Sequence, residues 1–173
     1  MLRGVFIAVA LAGAGCGNRL TWYAPPVQRG SLSLPSAAPF GYFVAMSDPN
    51  ASAYVVGGFR EQSEGPWRWT HEHPVLQFYV PRVPRLRFLM DVTFPDQTFA
   101  QTGPVEVAVR VNGRELGRVR FAKSGSDEYA QQVPWEWLHI NGINTVALEP
   151  DKTAAGPGGE RLGFVLTRAG FLE

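Results

Sequence analysis

The sequence predicts an all-β fold, a β-sandwich with jelly-roll topology, on three observations. Residues 105–121 read as a β-hairpin, because Val105, Val107, Val109 and Val111 alternate with Glu106, Ala108, Arg110 and Asn112, the period-two pattern of a strand with one buried face. Asn112-Gly113 closes it, the dipeptide favoured where a type I′ turn needs positive φ at both central residues. Between residues 40 and 172, about nine or ten short runs of β-branched and aromatic residues are separated by Gly, Pro, Asn and Asp clusters, the spacing of a sandwich. No run carries an amphipathic helix of three turns, which leaves sheet packing as the way to build a core.

The hairpin carries a register. Pairing outward from the turn sets Val111 opposite Arg114, Arg110 opposite Glu115 and Val109 opposite Leu116. Continued without a break, it would put Arg118 against Val107 on the apolar face. One extra residue at Leu116-Gly117 restores Val107 to Val119, Glu106 to Arg120 and Val105 to Phe121, so a β-bulge is expected there, with glycine supplying unusual backbone angles. Arg110–Glu115 and Glu106–Arg120 then form outer-face pairs of about 0.2–1 kcal/mol each.

Taken from the start, the chain opens with a processing signal. Arg3 gives a positive start, Val5 to Ala14 is a short apolar run, and Gly13-Ala14-Gly15 precedes Cys16. The run is too short for a stable spanning helix. It resembles a bacterial lipoprotein signal, which implies that residues 1–15 are removed and Cys16 is acylated. Gly13 departs from the Leu or Val usual three before that cysteine, and Ala12-x-Ala14 would also suit an ordinary signal peptidase. Cys16 is the single cysteine, so no intrachain disulfide forms and lipid attachment accounts for it. Membrane attachment through that lipid places the protein in the bacterial cell envelope. Residues 16–39, rich in Pro, Ser, Gly and Ala, read as a tether, with Trp22-Tyr23 expected to dock on the domain or sit at lipid headgroups.

Residues 40–173 form the sandwich domain. Phe40 to Met46 is the expected first strand, ended by the turn Ser47-Asp48-Pro49-Asn50. Tyr54 to Phe59 follows, then a short strand Trp67 to Thr70 and a separate one from Val75 to Val80. Pro81 to Pro84 breaks the chain before a strand from Leu86 to Phe94. Phe94 to Pro104 reads as a polar loop leading into the hairpin. Ser124 to Asp127 reads as a turn, Tyr129 to Val133 as a strand, and Trp135 to Leu138 as a crossing. Ile143 to Leu148 is a strand, Asp151 to Gly159 a mobile loop, and Leu162 to Phe171 the last strand.

Two segments together carry a resemblance. Val109-Arg110-Val111-Asn112-Gly113, followed by Leu138-His139-Ile140-Asn141-Gly142-Ile143-Asn144-Thr145-Val146-Ala147-Leu148, resembles a pattern of galactose-binding-like jelly rolls. Gly58-Phe59, Trp67-Arg68-Trp69-Thr70 and Gly159-Glu160-Arg161-Leu162-Gly163-Phe164 are similar to a narrower set, the β-sandwich domains appended to bacterial membrane glycosyltransferases and found in exported proteins. The resemblance implies architecture, since many functions share this fold. No sugar-binding residue carries over by position.

The candidate chemistry lies in two Trp-x-Trp pairs. On a strand, residues i and i+2 share a face, so Trp67 with Trp69, or Trp135 with Trp137, would form a flat surface for the C–H face of a sugar ring. Arg68, Glu64 and Glu136 would bond hydroxyls. The alternative is that these tryptophans close the core. His71-Glu72-His73 with His139 lacks the further ligands a zinc site wants, and reads as exposed loop histidines. No cofactor is expected; a structural calcium is allowed by Asp48, Asn50 and Asp151, without diagnostic spacing. There is no Gly-x-Ser-x-Gly elbow and no phosphate-binding glycine loop. Paired carboxylates are first sought at Glu61 and Glu64.

Removal of residues 1–15 leaves 15 Lys and Arg against 15 Asp and Glu, a balance without the electrostatic footprint of a nucleic-acid binder. The expected function is an exported, lipid-anchored, non-catalytic binding module for carbohydrate or envelope glycan. The second expectation is an accessory lipoprotein that docks on another envelope protein.

Overall fold

The structure, a computed structural model, describes residues 40–61, 65–81 and 85–173. The leader, Cys16, the tether with Trp22-Tyr23, and Glu64 lie outside the described residues. Eleven strands are seen among those described: β1 (Phe43–Ala45), β2 (Val55–Phe59), β3 (Arg68–Val80), β4 (Arg87–Phe94), β5 (Val105–Val111), β6 (Arg114–Phe121), β7 (Gly125–Gln132), β8 (Gly142–Pro150), β9 (Ala154–Ala155), β10 (Arg161–Leu162) and β11 (Val165–Leu172). A helix, α1 (Asp96–Thr102), stands between β4 and β5.

The expected sandwich is present. One layer runs β6-β5-β8-β3-β2 and the other β7-β4-β11-β1, all antiparallel. One strand replaces the two expected over 67–80, and it belongs to both layers. Arg68 and Trp69 pair with β11, whereas Val75 to Val80 pair with β8. Even-numbered residues Arg68, Thr70, Pro74, Leu76, Phe78 and Val80 are buried along its length. Aromatic rings lock the layers face to face. Phe78 of β3 meets Phe171 of β11 at 5.6 Å and 87°, and Phe94 of β4 meets Phe121 of β6 at 5.0 Å, the spacing of favourable ring pairs.

The hairpin keeps its predicted turn, with φ of 49° at Asn112 and 78° at Gly113. Val105–Phe121, Glu106–Arg120 and Val107–Val119 pair as expected, and the register shifts next to Val109. Val109 stands opposite Gly117, not Leu116. Gly117 is not there for positive φ. A Cβ on it would lie 2.6 Å from Gln131 Oε1 and 3.0 Å from the Tyr129 hydroxyl, so the ends of two β7 side chains crowd the bulge and a larger residue would have to displace them. Arg110–Glu115 forms at 3.2 Å, but Glu106 pairs with Arg118, not with Arg120. The bulge brings Arg118 opposite Ala108, between Glu106 and Glu115.

Three other expectations are corrected. The polar loop 94–104 contains α1, begun after Pro95 with Asp96 in its first turn and closed by Gly103 at φ 65°. Two turns are too few to show a helical period. The expected turn at Ser124 to Asp127 is mostly strand, because Gly125 to Asp127 pair with Val92 to Phe94; tertiary pairing overrides local turn chemistry. Within 151–159, β9 pairs with β10, and Arg161 Nε donates to Thr153 Oγ1 at 2.9 Å.

Candidate functional site

A cleft of about 560 Å³ is lined by Arg85, Gln132, Val133, Pro134, Trp135 and Glu136. Backbone pairing assembles it. β7 runs antiparallel to β4, with Gln132 opposite Arg87, and the Val133 amide donates to the Leu86 carbonyl at 2.9 Å. Residues 85–86 and 132–136 are therefore neighbours although far apart in sequence. Pro134 then stops the ladder, since it has no N–H to give. The chain turns into a 3-10 helix over Trp135–Trp137, with the Trp137 amide donating to Pro134 O at 3.0 Å.

That turn separates the second Trp-x-Trp pair. Residues two apart on a 3-10 helix are rotated by about 240°, whereas on a strand they would share a face. Trp135 is 56% exposed. Trp137 packs against the core, with the Arg114 guanidinium 5.8 Å from its ring centroid. The two do not form a flat platform. Glu136 is exposed beside Trp135. Arg85, Gln132 and Glu136 make no side-chain hydrogen bond or ion pair among the described residues.

The first pair is arranged differently. Trp67 and Trp69 are half-buried and meet edge to face at 6.4 Å and 87°, which again is not a flat surface. Arg68 alternates to the other side, as strand geometry requires. It is buried, and its Nη2 donates to Ser52 Oγ at 2.7 Å. The structure therefore brings Trp135 and Glu136 together in a cleft and leaves Trp67, Arg68 and Trp69 outside it. Arg85 and Gln132 were not singled out by sequence; only the β4–β7 pairing brings them in.

Of the remaining candidates, His71 to His73 lie within β3 and not in a loop, and several side chains are engaged locally. His71 Nδ1 lies 3.0 Å from Arg161 O, and His139 Nδ1 lies 3.1 Å from Ile143 O. Asp48 Oδ1 accepts from the Asn50 amide at 2.7 Å, and Asp151 Oδ1 accepts from the Glu106 amide at 2.8 Å. Among the described residues, no three His, Cys, Asp or Glu side chains converge as a cation site. Glu61 is exposed. Glu160 forms an ion pair with Arg60, and the hydrogen bond from that guanidinium holds its carboxyl below the usual carboxylate range.

No protein-family model matches this chain, and no curated protein matches its sequence. Solved structures that are similar to it include the carbohydrate-binding module CBM36 in complex with calcium and xylotriose, at 9% identity and a TM-score of 0.43 over 75% of this chain and 98% of that one. A family 35 carbohydrate-binding module from Clostridium thermocellum is similar at 15% identity and a TM-score of 0.43, over 76% and 98% of the two chains. An exo-β-1,3-galactanase from Phanerochaete chrysosporium with β-1,3-galactotriose gives 13% identity and a TM-score of 0.43; 77% of this chain is covered and only 29% of the galactanase.

Proposed function

We propose that the domain is a non-catalytic carbohydrate-binding module whose ligand stacks on Trp135 in the cleft beside β7. One observation carries this reading: a large, exposed indole stands in a cleft with three planar polar side chains that have no partner among the described residues. A pyranose ring presents an apolar C–H face, which an indole covers favourably. Its hydroxyls lie around the ring edge, where the planar Arg85 guanidinium, Gln132 amide and Glu136 carboxylate supply donors and acceptors. A mostly apolar cleft with a few convergent polar groups is the usual form of a small-molecule site.

The test is affinity electrophoresis of the wild-type protein and Trp135→Ala in gels containing xylan, mixed-linkage β-glucan or solubilised peptidoglycan. Retardation of the wild type that Trp135→Ala loses while staying folded supports the reading. Retardation unchanged by Trp135→Ala, or no retardation in any gel, counts against it, and co-purification with one envelope protein would then favour protein docking.

The proposal extends to location. The leader and Cys16 are read as anchoring the module to the bacterial cell envelope by lipid. Cys16→Ser should move the protein from the membrane to the soluble fraction. A variant that stays in the membrane fraction would show that lipid on Cys16 does not hold it.

A further inference from the structure

The tip of the β5–β6 hairpin reaches across to the turn that carries Trp135. Asn112 Nδ2 donates to the Trp137 carbonyl and to Asn144 Oδ1, each at 2.8 Å. Asn112 Oδ1 accepts from the Thr145 amide at 2.9 Å. Asn144 is fully buried. Its Oδ1 also accepts from the His139 amide at 2.8 Å, and its Nδ2 donates to the carbonyls of His139 and Gly142 at 2.9 and 3.1 Å. Both side-chain amides have their donors and acceptors engaged with the chain over 137–145.

These bonds have a consequence for the cleft. The Val133 amide fixes one end of the Trp135–Trp137 turn against Leu86, and Asn112 fixes the other through the Trp137 carbonyl. Trp135 and Glu136 lie between the two anchored points. A single turn of 3-10 helix is too short to hold itself, so its position depends on what grips its ends. At φ 49°, the backbone of residue 112 would be served as well by glycine. The side chain is therefore not needed for the hairpin turn itself. Its three hydrogen bonds all go to the neighbouring loop and β8.

We infer that Asn112 is a positioning residue for the carbohydrate site: its amide, braced by Asn144, holds the turn that presents Trp135 and Glu136 to the ligand. This rests on the cleft reading above for its functional meaning. Its structural half is independent of any ligand.

The test uses the full chain labelled with 5-fluorotryptophan, which gives one fluorine resonance for each of the five tryptophans; Trp135→Ala and Trp137→Ala assign the two of interest. Asn112→Gly keeps a turn-competent backbone and removes all three side-chain bonds. The Trp135 and Trp137 resonances should shift and broaden while those of Trp67 and Trp69 stay in place. Retardation by the polysaccharide that binds the wild type should weaken about threefold or more, a loss of roughly 0.7 kcal/mol. Asn112→Asp keeps the acceptor for the Thr145 amide and loses the two donated bonds, so it gives the same reading should the glycine variant unfold. Unchanged Trp135 and Trp137 resonances in a folded variant would overturn the inference. Resonances that move while Trp135→Ala binds as well as wild type would support the clamp and reject the carbohydrate site.

Discussion

Thr70 and Phe164 hold each other through one side chain and both backbones. The Thr70 hydroxyl donates to the Phe164 carbonyl and accepts from the Phe164 amide, each at 2.8 Å, and the Thr70 amide donates to the same carbonyl at 2.8 Å. Both residues are fully buried. The contact lies where β3 leaves the β11 layer and heads for the β8 layer, a place where a regular ladder would lapse. The hydroxyl takes over the bond that the Phe164 amide would otherwise lack.

Thr70→Val keeps the shape and removes that acceptor, leaving a buried N–H unpaired. The expected cost is about 1–3 kcal/mol, read as a lower urea midpoint with an unchanged slope. Thr70→Ser should recover most of it. An unchanged midpoint in the valine variant would show that the hydroxyl is not needed to satisfy the Phe164 amide.

Gly58 has no room for any other residue. At φ 76°, a Cβ there would stand 2.1 Å from the His73 carbonyl oxygen and 2.6 Å from the Pro74 Cα, both backbone atoms of the strand paired with β2. Side-chain adjustment cannot relieve such a clash. Gly58→Ala should destabilise by more than about 3 kcal/mol, since close approach and a left-handed angle act together. Thermal unfolding would check this: a melting temperature within a degree or two of wild type would contradict the tight β2–β3 approach.

These residues mark where a sequence is readable. The valines of β5 and the Asn112-Gly113 turn obey rules that span two to four residues, so their fold was visible locally. The bulge was visible because Arg118 would otherwise face the core. The surroundings of Gly117 were not, since the side-chain ends that crowd it belong to Gln131 and Tyr129 on another strand. The Trp135 cleft was half legible. Its indole and Glu136 stood out, but Arg85 joins them only through the β4–β7 register, and Trp137 leaves them because Pro134 ends the strand.

Tyr129 gives a pH dependence with a definite sign. Burial pushes its phenol up to about 12, and its hydroxyl donates to Gln131 Oε1 at 2.7 Å. The folded protein thus keeps this proton in a range where the unfolded chain, near an ordinary value of about 10, has released it. The contribution is fully present below pH 10 and is lost as pH rises through 12. Absorbance titration of the five tyrosines at the phenolate band should show a late step near 12 that Tyr129→Phe removes. A wild-type titration without that late step would mean that the phenol is not sealed beneath Gly117 and Gln131.

Trp135 and Trp137 make the sharpest comparison, because two identical side chains two residues apart have different surroundings. Trp137 is packed on the core and lies near Arg114, so Trp137→Ala should cost about 2 kcal/mol or more through lost packing. Trp135 is 56% exposed, and Trp135→Ala should change stability by no more than about 0.5 kcal/mol. Binding should respond in the opposite sense: loss of stacking on Trp135 is expected to weaken carbohydrate affinity by about 0.5–1.5 kcal/mol, roughly two- to thirteenfold in Kd. Denaturant melts and affinity electrophoresis on the same two variants separate the roles. If Trp135→Ala destabilises as much as Trp137→Ala, the indole is a packing residue and the cleft loses its platform. If it is stable and still binds, the platform lies elsewhere on the domain.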